Sequence, residues 1–272
     1  MQVINTNVAS LNAQRTLAST QEANQTAMQR LSSGSRINSA KDDAAGMSIA
    51  DTMTSQIRGI NQATRNTNDG ISYVQTAEGA LDEVSDMLQR IRELAVQADS
   101  GTMNSSQHDY IDMEVKVLGE EIGNVLSNTK FNGMQALTSG TVTIQAGWES
   151  GDTITVGVAD MSSSLTVYTS FSNATGTANT QALTLTALDT ALDKVNEARS
   201  NLGAQQNRLE HNASNLQNVS ENMSAARSRI QDTDFASESA ELARTNVLQQ
   251  AGMAMLSQAN AIPQGALTLL QG

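Results

Sequence analysis

The sequence predicts a mainly α-helical protein: a long antiparallel helical bundle of coiled-coil character with one small β-hairpin element, and chain termini that pair as an α-helical core domain. From Leu188 to Ile230 an apolar side chain returns at every seventh position, through Val195, Leu202, Leu209, Leu216 and Met223. Such a stripe stays on one face only if the helix wraps left-handed around partners. A second run, Met53, Ile57, Ile60, Thr64, Thr67, Ile71, Val74, Ala77, Leu81, Val84, Leu88, Ile91, Ala95 and Ala98, steps by four and three almost throughout. A helix of that extent is about 80 Å long, which only a bundle or rod accommodates. Finally, the 272 residues include one proline and 3% aromatics. Few helix breakers and few bulky rings suit thin bundles better than a thick core.

Charge and residue usage exclude several classes of function. The net charge of -12, with no basic patch beyond the pairs Arg90/Arg92 and Arg227/Arg229, argues against a nucleic-acid partner. No apolar run approaches the eighteen or so residues of a membrane span, so membrane insertion is not expected. The opening MQVINTNVAS lacks the basic region and hydrophobic block of a cleaved signal peptide. The chain has no cysteine, which rules out disulfides, thiolate metal sites and a cysteine nucleophile. His108 and His211 stand apart from other ligand types, and Asp42-Asp43 and Asp232-Thr233-Asp234 read as helix caps. No metal, cofactor or catalytic constellation is expected.

Taken in order, the chain opens with a weak helical stripe of Val3, Ile4, Val8, Leu11, Leu17, Met28 and Leu31, diluted by Asn, Gln, Ser and Thr. So little apolar area orders only against something else. Ser32, Ser33 and Gly34 interrupt it, and Ser33 to Gly46 reads as a loop ending in the helix-start carboxylates Asp42 and Asp43. The long second helix follows and ends at Gly101. Ser106-Gln107-His108-Asp109 has the form of a capping box ahead of a third stripe, Ile111, Val115, Leu118, Ile122 and Val125.

After Asn132-Gly133, Val142 to Ile144 and Thr153 to Val156 alternate apolar with polar and predict a hairpin at about 140–160. Residues 131–187 hold no Lys or Arg but include Phe131, Trp148, Tyr168 and Phe171. The Ser/Thr/Asn/Gly-rich part from Thr169 to Thr180 is expected to be an exposed loop. Thr186-Ala187-Leu188-Asp189 is the expected capping box of the Leu188 helix. The second seam of that helix, Leu192, Arg199, Gln206, Ala213, Ser220 and Arg227, is poor, which predicts oblique packing in a bundle. After a break at Asp232 to Asp234, the last segment places Leu248, Ala251, Met255, Ala259 and Ile262 at helical spacing. Both ends are therefore alike, helical but short of core. Two such helices can pair antiparallel, but covering both faces needs further copies of the chain, which predicts a polymer.

At this point the sequence resembles bacterial flagellin. The likeness lies in INTNVASLNAQRTL (Ile4 to Leu17), RLSSGSRINSAKDDAAGMSIAD (Arg30 to Asp51) and LQRIRELAVQ (Leu88 to Gln97) at the front. At the back it lies in ARSNLGAQQNRLE (Ala198 to Glu210), AARSRIQDTDFASE (Ala225 to Glu238) and LQQAGMAMLSQANAIPQ (Leu248 to Gln264). The resemblance implies a structural subunit, not an enzyme, that self-assembles into the flagellar filament for motility. The paired ends, 1–43 and 233–272, form an inner core domain, and 44–232 an outer-tube bundle domain. Large flagellins insert outer domains where only residues 131–187 stand here, so a minimal form is expected.

The family also implies partners. These are other copies in a helical homopolymer, an export chaperone, a filament cap and, in animals, the Toll-like receptor for flagellin. Residue by residue, the receptor site carries over to Gln89, Arg90, Leu94 and Glu114, all present. Assembly and chaperone contact carries over to Val8, Leu11, Leu17, Leu242, Leu248, Met255, Leu256 and Ile262. The implied location is extracellular, after export without a cleaved signal peptide, and Ser162 to Thr180 are candidates for O-linked sugars. Rival readings are a hook-filament junction protein and a secreted helical-bundle adhesin or effector. The ends are expected to be mobile in the free monomer.

Overall fold

The computed structural model of the protein describes residues 6–138, 140–158, 160–165, 169 and 185–271. The expected sugar-bearing stretch lies almost wholly outside them. The order is α1 (Val8–Ser33), α2 (Ala44–Ala98), α3 (Ser105–Asn128), β1 (Lys130–Phe131), β2 (Met134–Gln135), β3 (Thr141–Gln145), β4 (Thr153–Gly157), α4 (Met161–Ser164), α5 (Leu185–Gln231) and α6 (Phe235–Gln271). The mainly helical class with a small hairpin is as the sequence predicts. Two compact units form, one from Gln56–Glu221 and one from Met1–Ser55 with Asn222–Gly272. The boundaries expected at 43/44 and 232/233 both fall inside the second of these.

The Gln56–Glu221 unit is built on the two long stripes. On α2 the residues Val74, Ala77, Leu81, Val84, Leu88 and Ile91 are buried, and on α5 Leu188, Val195, Leu202 and Leu209. Each large side chain so buried contributes on the order of 2 kcal/mol. The helices run antiparallel, as cross-links from Arg92 to Asp189, Arg199 to Asp82, and Ser220 to Asn61 require. The expected second seam of α5 is buried at Ala213, but at its start the buried positions are Ala191 and Ala198, one residue ahead of Leu192 and Arg199. Small alanines let the partner helices approach closely, while Leu192 is only partly buried against the core and Arg199 reaches Asp82 at its edge.

α3 adds Ile111, Val115, Ile122 and Leu126 to this core. Its cap differs from the expectation. Asn104, not Ser106, is the N-cap, and its side chain and that of Gln107 exchange reciprocal bonds with each other's backbone N–H. An amide oxygen serves the orphan donor as well as a hydroxyl does. Thr186 is likewise no cap, because Leu185 is already helical; Thr186 uses its carbonyl to accept from the Thr190 hydroxyl.

Two antiparallel strand pairs close the unit. The expected hairpin is β3–β4, with Val142 opposite Val156 and Ile144 opposite Ile154, and Ile144, Ile154 and Val156 face the core. The second pair, β1–β2, turns through Asn132 and Gly133, both at positive φ (48° and 82°), as a two-residue hairpin turn demands. Gly157 ends β4 at φ 128°, and a Cβ there would lie 2.6 Å from the Gly140 oxygen. Its backbone is pinned to α5 by one side chain: Gly157 N donates to Gln205 Oε1 at 2.7 Å, and Gln205 Nε2 donates to the Gly157 oxygen at 2.9 Å. That amide stands in for a neighbouring strand and covers an otherwise open edge.

In the other unit, Gly34 caps α1 at φ 70° and the chain then meets the end of α5. Arg36 N donates to the Gln231 oxygen and Thr233 N to the Gly34 oxygen. The Arg36 guanidinium donates to the Ile230 oxygen at 2.6 Å, where a cation suits the negative end of the helix. The Asp42 carboxylate accepts from the backbone N–H groups of Ser39 and Asn38. The Ser39 bond, then that from Asn38, hold it below the usual carboxylate range. Asp43 caps α2 by accepting from Gly46 N.

Candidate assembly and recognition surfaces

α1 and α6 form an antiparallel pair with an unusual division of side chains. What they bury between them is small or polar: Ser10, Thr20, Asn24, Ala27, Thr245 and Ala259. The polar groups are satisfied. Asn24 Nδ2 donates to Thr245 Oγ1 at 3.1 Å and to Asn246 Oδ1 at 2.9 Å, and Asn7 Nδ2 donates to the Ala259 oxygen at 2.7 Å. Asn7 also caps α1 by accepting from Ser10 N. Small residues bring the two backbones close but bury little area, so this seam alone is weak.

The large apolar residues lie outside it. Val8 is 57% exposed, Leu11 52%, Val247 65%, Leu248 46% and Met255 66%. Leu17, Leu242 and Leu256 are half-buried along the seam, and Leu17 leans on Gly252, where an added Cβ would stand 3.4 Å from its Cδ1. The side chain of Ile262 lies outside the described residues. Leucine, valine and methionine turned outward on adjacent helices make an apolar surface that one chain cannot cover.

A different surface lies on α2 and α3. Arg90 Nε and Nη2 donate to Glu114 Oε1 at 3.0 and 2.9 Å, and Nη1 donates to Glu93 Oε2 at 3.0 Å. The Glu114 bonds, then that to Glu93, raise the guanidinium further above its ordinary pKa. Gln89 is exposed and bonds Ser85 Oγ at 3.3 Å. Arg90 and Glu114 are thus joined at the surface, with exposed Gln89 next to Arg90 in the chain. Leu94 does not join them: at 2% exposure it is turned into the core, so the apolar anchor expected beside Arg90 is not offered to solvent.

Arg92 and Glu93 are also exposed on this stretch of α2. Both are engaged, Glu93 with Arg90 and Arg92 with Asp189 at 2.7 Å, the second by a partner on another helix that local pattern cannot reveal. Sequence reasoning missed the exposed apolar group of Tyr110, Met113 and Val117 on α3, spaced three and four apart around Glu114. That spacing was readable as a second stripe, one or two residues ahead of Ile111, Val115 and Leu118.

Beside the hairpins a cleft of about 620 Å³ is lined by Asn66, Asp69, Tyr73, Phe131, Met134 and Ile144. Among the described residues no cluster of His, Cys, Asp and Glu is placed to hold a metal ion, and no helix is long and apolar enough to cross a membrane.

Known proteins are similar over nearly the whole chain. The model of the bacterial flagellin N-terminal helical region matches residues 4–143, and that of the bacterial flagellin C-terminal helical region matches 185–270. Flagellin of Halalkalibacterium halodurans is 47% identical over 272 residues, covering 99% of this chain and 100% of that protein. The flagellar filament 33 kDa core protein of Treponema phagedenis is 38% identical over 296 residues, 99% of this chain and 100% of its own. Among solved structures, the crystal structure of Bacillus cereus flagellin matches with a TM-score of 0.50 at 36% identity, over 60% of this chain and 94% of that one.

Proposed function

The chain belongs to the bacterial flagellin family, and from that premise we propose that the outward faces of α1 and α6 are where one subunit meets others in the filament. The family is structural, and the protein is a subunit that self-assembles into the flagellar filament. What carries the proposal is the inversion in the terminal helix pair: Asn24 and Thr245 are buried while Val8, Leu11, Val247, Leu248 and Met255 face out. The terminal helices act as the assembly part, and the unit Gln56–Glu221 as the bundle part. Association is heterologous. One patch of each subunit meets a different patch of the next, the rotation does not close, and a helical polymer grows. Adding a subunit buries the outward residues and stabilises both helices at once, so ordering of the ends is coupled to polymerisation.

The same surface serves earlier partners. An export chaperone that covers Leu242, Leu248, Met255, Leu256 and Ile262 keeps it from premature association during export, and the filament cap receives it at the growing end. The test is seeded elongation by a Leu248→Asp variant. Growth is expected to fall at least about a hundredfold, since a carboxylate would be buried unpaired, while the bundle keeps its melting temperature. Normal growth by a folded Leu248→Asp subunit would remove α6 from the assembly surface.

A second activity, recognition by the animal Toll-like receptor for flagellin, is supported by the exposed Arg90–Glu114 pair and its chain neighbour Gln89. A planar guanidinium already oriented by Glu114 loses little entropy on docking. In this reading Leu94 supports the pair from beneath. Arg90→Ala is expected to raise the half-maximal signalling concentration by about tenfold with helicity unchanged. An unchanged value would show that this residue does not carry over.

A further inference from the structure

Met255 is 66% exposed on α6, and helical spacing sets it on one face with Val247, Leu248 and Ala251. Its aliphatic neighbours are inert, but a solvent-facing thioether is nucleophilic and oxidisable. We propose that Met255 is an oxidation site whose state decides whether a subunit joins the filament. This rests on the reading that the outward face of α6 is buried against other copies.

The chemistry needs only a peroxide oxidant. A lone pair on Met255 Sδ attacks one oxygen of hydrogen peroxide and the O–O bond breaks. Sulfur loses two electrons and gains the S–O bond, and the displaced hydroxide takes up a proton and leaves as water. The product sulfoxide is polar, with a strong acceptor oxygen. On the free subunit that oxygen is solvated, and the seam residues Asn24, Ala27, Thr245 and Ala259 are chemically untouched. On assembly the oxygen has to enter an apolar contact with no donor to meet it, and addition is penalised. In a finished filament the contact shields the sulfur, so sensitivity is confined to subunits not yet added.

The exposed thioethers of the bundle act as internal controls, and those of Met28 and Met253 report on the assembly helices away from the Leu248 line. Met253 is 51% exposed and Met28 50%, while Met113 is 58% and Met134 45% exposed, and peroxide reaches all of them. None of these four falls in line with Leu248 at a spacing of seven, as Met255 does.

The test uses the full-length monomer. It is treated with hydrogen peroxide, freed of oxidant, mapped for sulfoxides by mass spectrometry and offered to untreated wild-type seeds, each protein being compared with its own untreated rate. Wild type is expected to lose elongation by about tenfold or more in step with Met255 sulfoxide, and methionine sulfoxide reductase should restore it. Met255→Leu should keep its own untreated rate although Met113 and Met253 are oxidised. Preformed filaments should spare Met255 at a dose that oxidises it in the monomer. If Met255→Leu loses as large a fraction as wild type, or wild type fully oxidised at Met255 elongates at its untreated rate, the proposal is overturned. Untreated Met255→Gln separates the two levels of the claim. Growth by it at the wild-type rate defeats the assembly reading itself, whereas a block by glutamine with no block by the sulfoxide defeats the redox step alone.

Discussion

The Gln56–Glu221 bundle and the α1–α6 pair are built from opposite choices of side chain. In the bundle, Leu81, Leu88, Ile91, Leu188, Leu202 and Leu209 are wholly buried and ion pairs such as Arg199–Asp82 lie at the edge. In the pair, Asn24 and Thr245 are inside and Leu11, Val247, Leu248 and Met255 outside. A helix that hides its large apolar residues is stable by itself, whereas one that shows them is half of a contact. On the assembly reading proposed above, the bundle is the self-sufficient part of the subunit and the terminal pair the part that needs other copies.

The largest break in that contrast comes from deletion. Removing Leu242 to Gly272 is expected to abolish seeded elongation while leaving a soluble bundle with a cooperative melt, read by electron microscopy and circular dichroism. A chain that instead loses the bundle melt would show that the two regions are not separable in this way. Single truncations sharpen it. Leu202→Ala should destabilise the bundle by about 2 to 5 kcal/mol in chemical denaturation. Leu248→Ala should shift that transition by less than about 0.5 kcal/mol, because its side chain is already half in solvent.

A smaller effect lies in the seam of the pair. Thr245→Val keeps the shape but removes the hydroxyl that accepts from Asn24. It should weaken the pair by about 1 kcal/mol, visible as faster amide exchange near Thr245 in the filament. The smallest effect is a pH response of the loop before α2. Because hydrogen bonds from Ser39 and Asn38 lower the Asp42 pKa in the folded chain, its contribution is present above the ordinary carboxylate value and is lost as pH falls through the lowered one. Exchange at the Ser39 amide should therefore quicken only in acid, and Asp42→Asn should remove that dependence.

Much of this contrast was legible in the residues. The heptad from Leu188 to Leu209 and the run from Val74 to Ala95 named the core almost side chain by side chain, because a long periodic stripe has only one way to be buried. The thin stripes at the ends likewise announced helices without a core. What escaped were features that depend on a partner distant in sequence or on local cap chemistry. Nothing near Ala191 says that small residues, not Leu192, line the second seam, since the choice depends on how closely α2 approaches. Nothing near Arg92 points to Asp189. The β1–β2 pair was missed although Asn132-Gly133 is a strong turn signal, because its strands are two residues each and leave no alternation to read. Leu94 entered the receptor site through the family resemblance alone, which carries no information about which way its side chain faces. It stands one residue ahead of Ala95, at the edge of the Leu88–Ile91–Ala95 stripe, where the approach of neighbouring helices decides burial.

The central claim is that the terminal pair becomes fully stable only in the polymer, and hydrogen exchange followed by mass spectrometry tests it most directly. Amides from Leu242 to Ala259 are compared in the free monomer and the assembled filament, with those from Leu188 to Leu209 as the internal standard. The expected result is strong protection of Leu188 to Leu209 in both states, and weak protection of Leu242 to Ala259 in the monomer that rises by about a hundredfold or more in the filament. Strong and equal protection of Leu242 to Ala259 before any filament forms would contradict the account.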